Sequence, residues 1–119
     1  MNIEMPAGAV RAAATLLKAM SNPHRLFILC QLLGAERRVG ELEALTGLSQ
    51  SALSQHLARL RRDGLVRTRR ESQTIYYAAA NDDVDQVIRV LHRLFCAPHA
   101  ETKTMSQQRP ARRSAARRR

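Results

Sequence analysis

Residues 50–63 constrain this chain more than any other stretch. Leu53, Leu57 and Leu60 recur there at helical spacing in a segment otherwise polar or small. A helix with one narrow apolar stripe needs a core supplied by other elements, and its opposite face stays in water. Gly47-Leu48-Ser49 reads as a tight turn before it, with Ser49 as N-cap, and Gly64 ends it. Upstream, residues 39–46 read as a short helix with Val39, Leu42 and Leu45 inward. Two short helices joined by a Gly-containing turn make a helix-turn-helix. Downstream, residues 65–70 and 74–79 are β-rich and flank Glu71-Ser72-Gln73, which is a hairpin signal.

The other elements supply the core. Val10, Ala13, Ala14, Leu17 and Met20 give residues 8–20 a helical stripe. Ser21-Asn22-Pro23 breaks the chain, and Pro23 suits the first position of a second helix. That helix, running to Leu33 before Gly34, is apolar nearly all round and is expected to be central. Asn81 and three aspartates open a fifth helix over 81–96, where the helix dipole favours negative charge. The expected fold is mainly α with a small β-hairpin, a winged helix-turn-helix in the order α-α-α-α-β-β-α. The expected organisation is a flexible stretch over 1–7, one winged helix-turn-helix domain over 8–97, and a disordered Arg-rich tail over 98–119.

Charge narrows the function. The net charge is +10, and it is uneven: residues 50–80 carry a net +4 and residues 97–119 a net +6. Focused positive charge suits a polyanion. No apolar run is long enough to span a bilayer, so no membrane role is expected. With no Trp, two Phe and two Tyr, stacking on single strands is disfavoured and double-stranded DNA is the expected partner. On helix 50–63 the outward set is Gln50, Ser51, Ser54, Gln55, Ala58, Arg59 and Arg62, joined at the N-terminus by Ser49. Gln can pair bidentately with adenine, and Ser with several bases. His56 lies beside the leucine stripe and reads more as a packing residue than as a base reader. Arg67, Arg69 and Arg70 on the hairpin, with Gln73 at its tip, suit phosphates or the minor groove. No phosphate-binding Gly loop, nucleophile elbow or paired carboxylates suggest an enzyme. A non-specific DNA-compacting role, suggested by the tail, fits poorly with a polar-faced reading helix.

Three stretches carry a resemblance. Leu17-Lys18-Ala19-Met20-Ser21-Asn22-Pro23-His24-Arg25-Leu26, Leu48-Ser49-Gln50-Ser51-Ala52-Leu53-Ser54-Gln55-His56-Leu57 and Gly64-Leu65-Val66-Arg67-Thr68-Arg69-Arg70-Glu71 closely resemble the ArsR/SmtB family of bacterial winged-helix repressors. Ser72 departs from the glycine often found at that wing tip. The resemblance implies a cytoplasmic bacterial repressor whose residues 8–97 are the DNA-binding and dimerisation domain, a homodimer formed through residues 8–20 and 81–96, on an inverted-repeat operator. Many members sense metals, but Arg37-Arg38-Val39-Gly40-Glu41-Leu42 lacks the cysteines of their third-helix site. Asp83, Asp85, His92 and His99 lack the spacing of their last-helix site. No metal or other cofactor is therefore expected. Taken alone, Cys30 and Cys96 read as small buried hydrophobes. Their positions, however, match the dithiol branch represented by BigR, SqrR and HlyU. That match implies a redox switch whose effector is a reactive sulfur species or oxidant, with the operator released on oxidation or on persulfide/polysulfide bridging. A metal-responsive repressor, or an activator that displaces another repressor, are the alternative readings.

Overall fold

The computed structural model describes residues 3–96. Its elements are α1 (Ala7–Met20), α2 (Pro23–Gln31), β1 (Arg37–Arg38), α3 (Val39–Thr46), α4 (Gln50–Arg62), β2 (Val66–Glu71), β3 (Thr74–Ala79) and α5 (Asp82–Cys96). The chain divides into two units, Met1–Ile88 and Arg89–Arg119. The first holds every element except the C-terminal half of α5. The expected tail, residues 98–119, lies outside the described residues.

Local chemistry sets the helix boundaries. The Asn22 side chain accepts hydrogen bonds from the backbone N–H groups of His24 (2.9 Å) and Arg25 (3.1 Å), while Pro23 occupies the first turn of α2. Arg25 Nε donates to the Ala19 carbonyl at 2.6 Å, and Arg37 Nε to the Gln31 carbonyl at 2.6 Å. Each guanidinium thus closes the C-terminal end of a helix, where carbonyls lack partners and the dipole favours a cation. The Arg38 N–H donates to Glu41 Oε1 at 2.8 Å and opens α3. Asn81 Oδ1 accepts the Val84 N–H at 3.2 Å at the start of α5.

The core of the first unit is apolar throughout. Ile28, Leu29, Leu32, Leu42, Leu53, Leu57, Leu60 and Leu65 are almost fully buried, and no polar or charged residue joins them among the described residues. The leucine stripe of α4 is therefore the face that packs, as its spacing requires.

The structure corrects several expectations. The sheet has three antiparallel strands in the order β1-β3-β2, not a lone hairpin. β1 is only two residues long, too short for a periodic signal, and pairs Arg37 with Tyr77 and Arg38 with Tyr76. The hairpin link is Ser72-Gln73 alone, because Glu71 still pairs with Thr74. α2 ends at Gln31 rather than Leu33, and it is not buried all round: Phe27 and Cys30 are exposed. Leu45, placed inward by its spacing, is 42% exposed, and only Leu42 of the α3 stripe is fully buried. The fold is a winged helix-turn-helix, with α3 and α4 as the motif and β2–β3 as the wing.

Candidate nucleic-acid interface

The α3–α4 turn is built from its own side chains. Gly47 adopts φ 74, a left-handed conformation that costs a glycine little and lets the chain reverse after α3. Thr46 Oγ1 donates to the Leu42 carbonyl at 2.7 Å and accepts the Leu48 N–H at 3.2 Å. Ser49 Oγ accepts the Ala52 N–H at 3.1 Å. The Ser49 hydroxyl therefore starts the helix as its N-cap, and accepting this one bond leaves its O–H to donate elsewhere.

With Leu53, Leu57 and Leu60 turned inward, Gln50, Ser51, Ser54 and Gln55 are all exposed on α4. These side chains are short or amide-bearing, so they can approach base edges closely. His56 is half-buried, with its ring 5.5 Å from that of His24 and tilted by 38°. Burial, and then the neighbouring His24 and Arg25, hold its pKa below the usual imidazole value.

The expected cations are not equivalent. Arg59 Nε donates to Asp63 Oδ2 at 2.8 Å within α4's last turn, and this hydrogen bond is the main reason the Asp63 pKa is lowered. Arg69 is bound to Glu36 and Glu71. Arg67 and Arg70 are exposed on β2, and Gln73 is exposed at the hairpin turn. Sequence reasoning placed Arg62 on the outward face of the helix but left Arg61 and Tyr77 out of the interface. Arg61 and Arg62 are exposed and, with Ser54, Leu57, Ala58 and Tyr77, line an open notch of about 470 Å³ between α4 and β3. Positions 54, 58, 61 and 62 fall on one helical stripe, a signal that could have found Arg61 beside Arg62. Tyr77 gave no such signal, because only the folded sheet brings it to the helix.

The cysteines occupy separate elements. Cys30 is exposed on α2, and Cys96 is exposed at the last position of α5. Neither is the buried core filler that residue type alone suggested. Among the described residues no group of three or more His, Cys, Asp or Glu is arranged to hold a metal ion. No described helix is long and apolar enough to cross a membrane.

Comparison with known proteins gives one consistent result. Residues 22–68 match the family described as bacterial regulatory protein, arsR family. The transcriptional activator HlyU of Vibrio cholerae serotype O1 is 54% identical over 96 residues, covering 81% of this chain and 89% of that protein. A structure of reduced HlyU from Vibrio cholerae superposes with TM-score 0.70 at 57% identity, over 73% of this chain and 92% of that one. The biofilm growth-associated repressor of Agrobacterium fabrum is 45% identical over 98 residues, covering 81% of this chain and 84% of its own length. The homodimeric winged helix-turn-helix DNA-binding domain of Mb0332 from Mycobacterium bovis superposes with TM-score 0.70 at 29% identity, over 87% of this chain and all 100% of that one.

Proposed function

Because the chain belongs to the arsR family of bacterial regulatory proteins, and is thus a transcription regulator rather than an enzyme, we propose that it is a homodimeric repressor whose operator affinity is set by the Cys30/Cys96 dithiol. The observation that carries the DNA-binding part is the division of α4. Its leucines are sealed in the core, while Gln50, Ser51, Ser54 and Gln55 face solvent beside a wing bearing Arg67 and Arg70. Two such helices in a dimer would enter successive major grooves of an inverted repeat.

Dimerisation through residues 8–20 and 81–96 is supported by apolar side chains left in water. On α1, Val10 is 49% and Leu17 58% exposed; on α5, Leu94 is 62% and Phe95 75% exposed. Exposed large apolar side chains on amphipathic helices suit a protein interface.

The dithiol part is supported by the exposure of both thiols, since a thiolate must reach its oxidant to react. One thiolate attacks the sulfane sulfur of an organic persulfide, forming a cysteine persulfide and releasing the organic thiolate. The second thiolate attacks the protein-bound sulfur of that persulfide, closing a disulfide and expelling hydrosulfide. External thiols reverse the bridge by exchange. Closure requires Cα atoms within about 4.4–6.8 Å, a constraint that draws α2 and the end of α5 together. A shift of the reading helices from groove spacing would then weaken binding about 5–150-fold, the usual range of allosteric coupling. An activator that displaces another repressor is the second reading, favoured by the name of the HlyU relative.

The test is operator binding by wild type, Cys30→Ser and Cys96→Ser, each reduced and after treatment with an organic persulfide. Only the wild type should lose affinity. A treated wild type that binds like the reduced form, or mutants that still respond, would remove the switch and leave the DNA-binding reading intact.

A further inference from the structure

Arg69 projects from the wing, yet its guanidinium is turned onto the protein. Nε donates to both Glu36 carboxylate oxygens, at 3.2 and 3.0 Å, and Nη2 donates to Glu36 Oε1 at 2.7 Å. Nη1 donates to Glu71 Oε1 at 2.9 Å, and the group lies 4.5 Å from the centre of the Tyr76 ring. The sheet explains the convergence. Tyr76 on the central strand β3 faces Arg38 of β1 on one side and Arg69 of β2 on the other. Glu36, two residues before Arg38, reaches across β3 to a residue 33 positions away. The pairing lowers the Glu36 pKa and raises that of Arg69, chiefly through these hydrogen bonds.

A phosphate competes for Arg69 with two carboxylates and an aromatic face, whereas Arg70 next to it makes no ion pair among the described residues. We propose that Glu36 is a specificity-determining residue: with Glu71 it withholds Arg69 from DNA phosphates, limiting the sequence-independent grip of the wing. This rests on the DNA-binding reading above. Phosphate contacts raise affinity for all sequences alike, so a cation withheld from them favours base readout.

The test is a double-mutant cycle of wild type, Glu36→Ala, Arg69→Ala and the double variant. Binding to a fluorescent random-sequence duplex is titrated against salt, with circular dichroism confirming the fold of each variant. Glu36→Ala should steepen the log–log salt slope by about 0.9, so that an about fourfold rise in salt costs about 3.5-fold more affinity than in wild type. Arg69→Ala alone should leave the wild-type slope, and Glu36→Ala should have no effect in the Arg69→Ala background. Three outcomes overturn the proposal: an unchanged or shallower slope for Glu36→Ala, a shallower slope for Arg69→Ala, or an equal Glu36→Ala effect in both backgrounds, which marks a diffuse charge effect. Failure of wild type to bind any duplex in a salt-dependent way would overturn the DNA-binding reading as well.

Discussion

α4 and the β2–β3 wing lie side by side, and each must hold polar side chains in place for a partner, but they gain rigidity from different sources. α4 is anchored by burial: Leu53, Leu57 and Leu60 are at most 2% exposed, and its first turn is capped by Ser49. Apart from Arg59 and Arg62, which pair with Asp63 at its C-terminal end, its outward side chains need no internal partners to hold the helix. The wing buries little, chiefly Val66 and Ala78. It is braced by polar contacts instead: Arg69 is bound to Glu36 and Glu71 and stacked on Tyr76. An element held by apolar packing keeps its polar groups available, while one held by ion pairs consumes them. The cations of the two elements therefore cannot be counted as equivalent DNA contacts.

Four tests probe that contrast. The largest effect is expected at the anchor of α4. Leu57→Ala removes a buried side chain and leaves a cavity, so it should cost about 2–5 kcal/mol in denaturant unfolding. Exposed Arg70→Ala should leave stability within about 0.5 kcal/mol. Equal losses from the two would contradict the division between a packed helix and a solvated wing.

Next comes the polar face itself. Gln55→Ala should leave the unfolding midpoint in place and reduce discrimination at particular operator positions by about 1–3 kcal/mol. Binding to a set of singly substituted operators measures this. A uniform loss across all sequences would mean that α4 positions the protein but does not read the bases.

The wing turn offers a smaller gain. Ser72 has φ 57, the one positive φ at a non-glycine position among the described residues. It is the first residue of a two-residue hairpin link, where glycine meets the conformation without strain. Ser72→Gly should stabilise the protein by about 0.5–1 kcal/mol in thermal or denaturant unfolding. A destabilising result would show that the Ser72 side chain contributes a contact that offsets its backbone strain.

The smallest effect is expected from pH. His56 has a folded pKa below its unfolded value near 6.5, so the unfolded state binds the proton more readily. The associated stability is fully present above that unfolded value and is lost as pH falls through the lower folded value. The groups facing His56 are His24 and Arg25 at the start of α2. The unfolding temperature of wild type should therefore fall between pH 7 and pH 5 more steeply than that of His56→Gln. Parallel pH profiles would show that burial at this position does not control the titration.

The sequence by itself determined the helices, the helix-turn-helix and the apolar side of α4. Caps such as Asn22 and Ser49, the left-handed turn at Gly47 and the spacing of Leu53, Leu57 and Leu60 act over three or four residues, and such short-range rules can be read along the chain. Only the tertiary structure decided which of the polar and reactive side chains remain available. β1 is too short to announce itself, yet it brings Glu36 to Arg69 across a sheet. Tyr77 reaches the notch beside Arg61 and Arg62 only once β3 is paired. Cys30 lies on a helix whose composition suggests full burial, but the side on which it sits is left to solvent. Periodicity states that a face exists; whether a given charge on it is paired or open depends on groups many residues away, and folding alone brings those groups within a few ångströms.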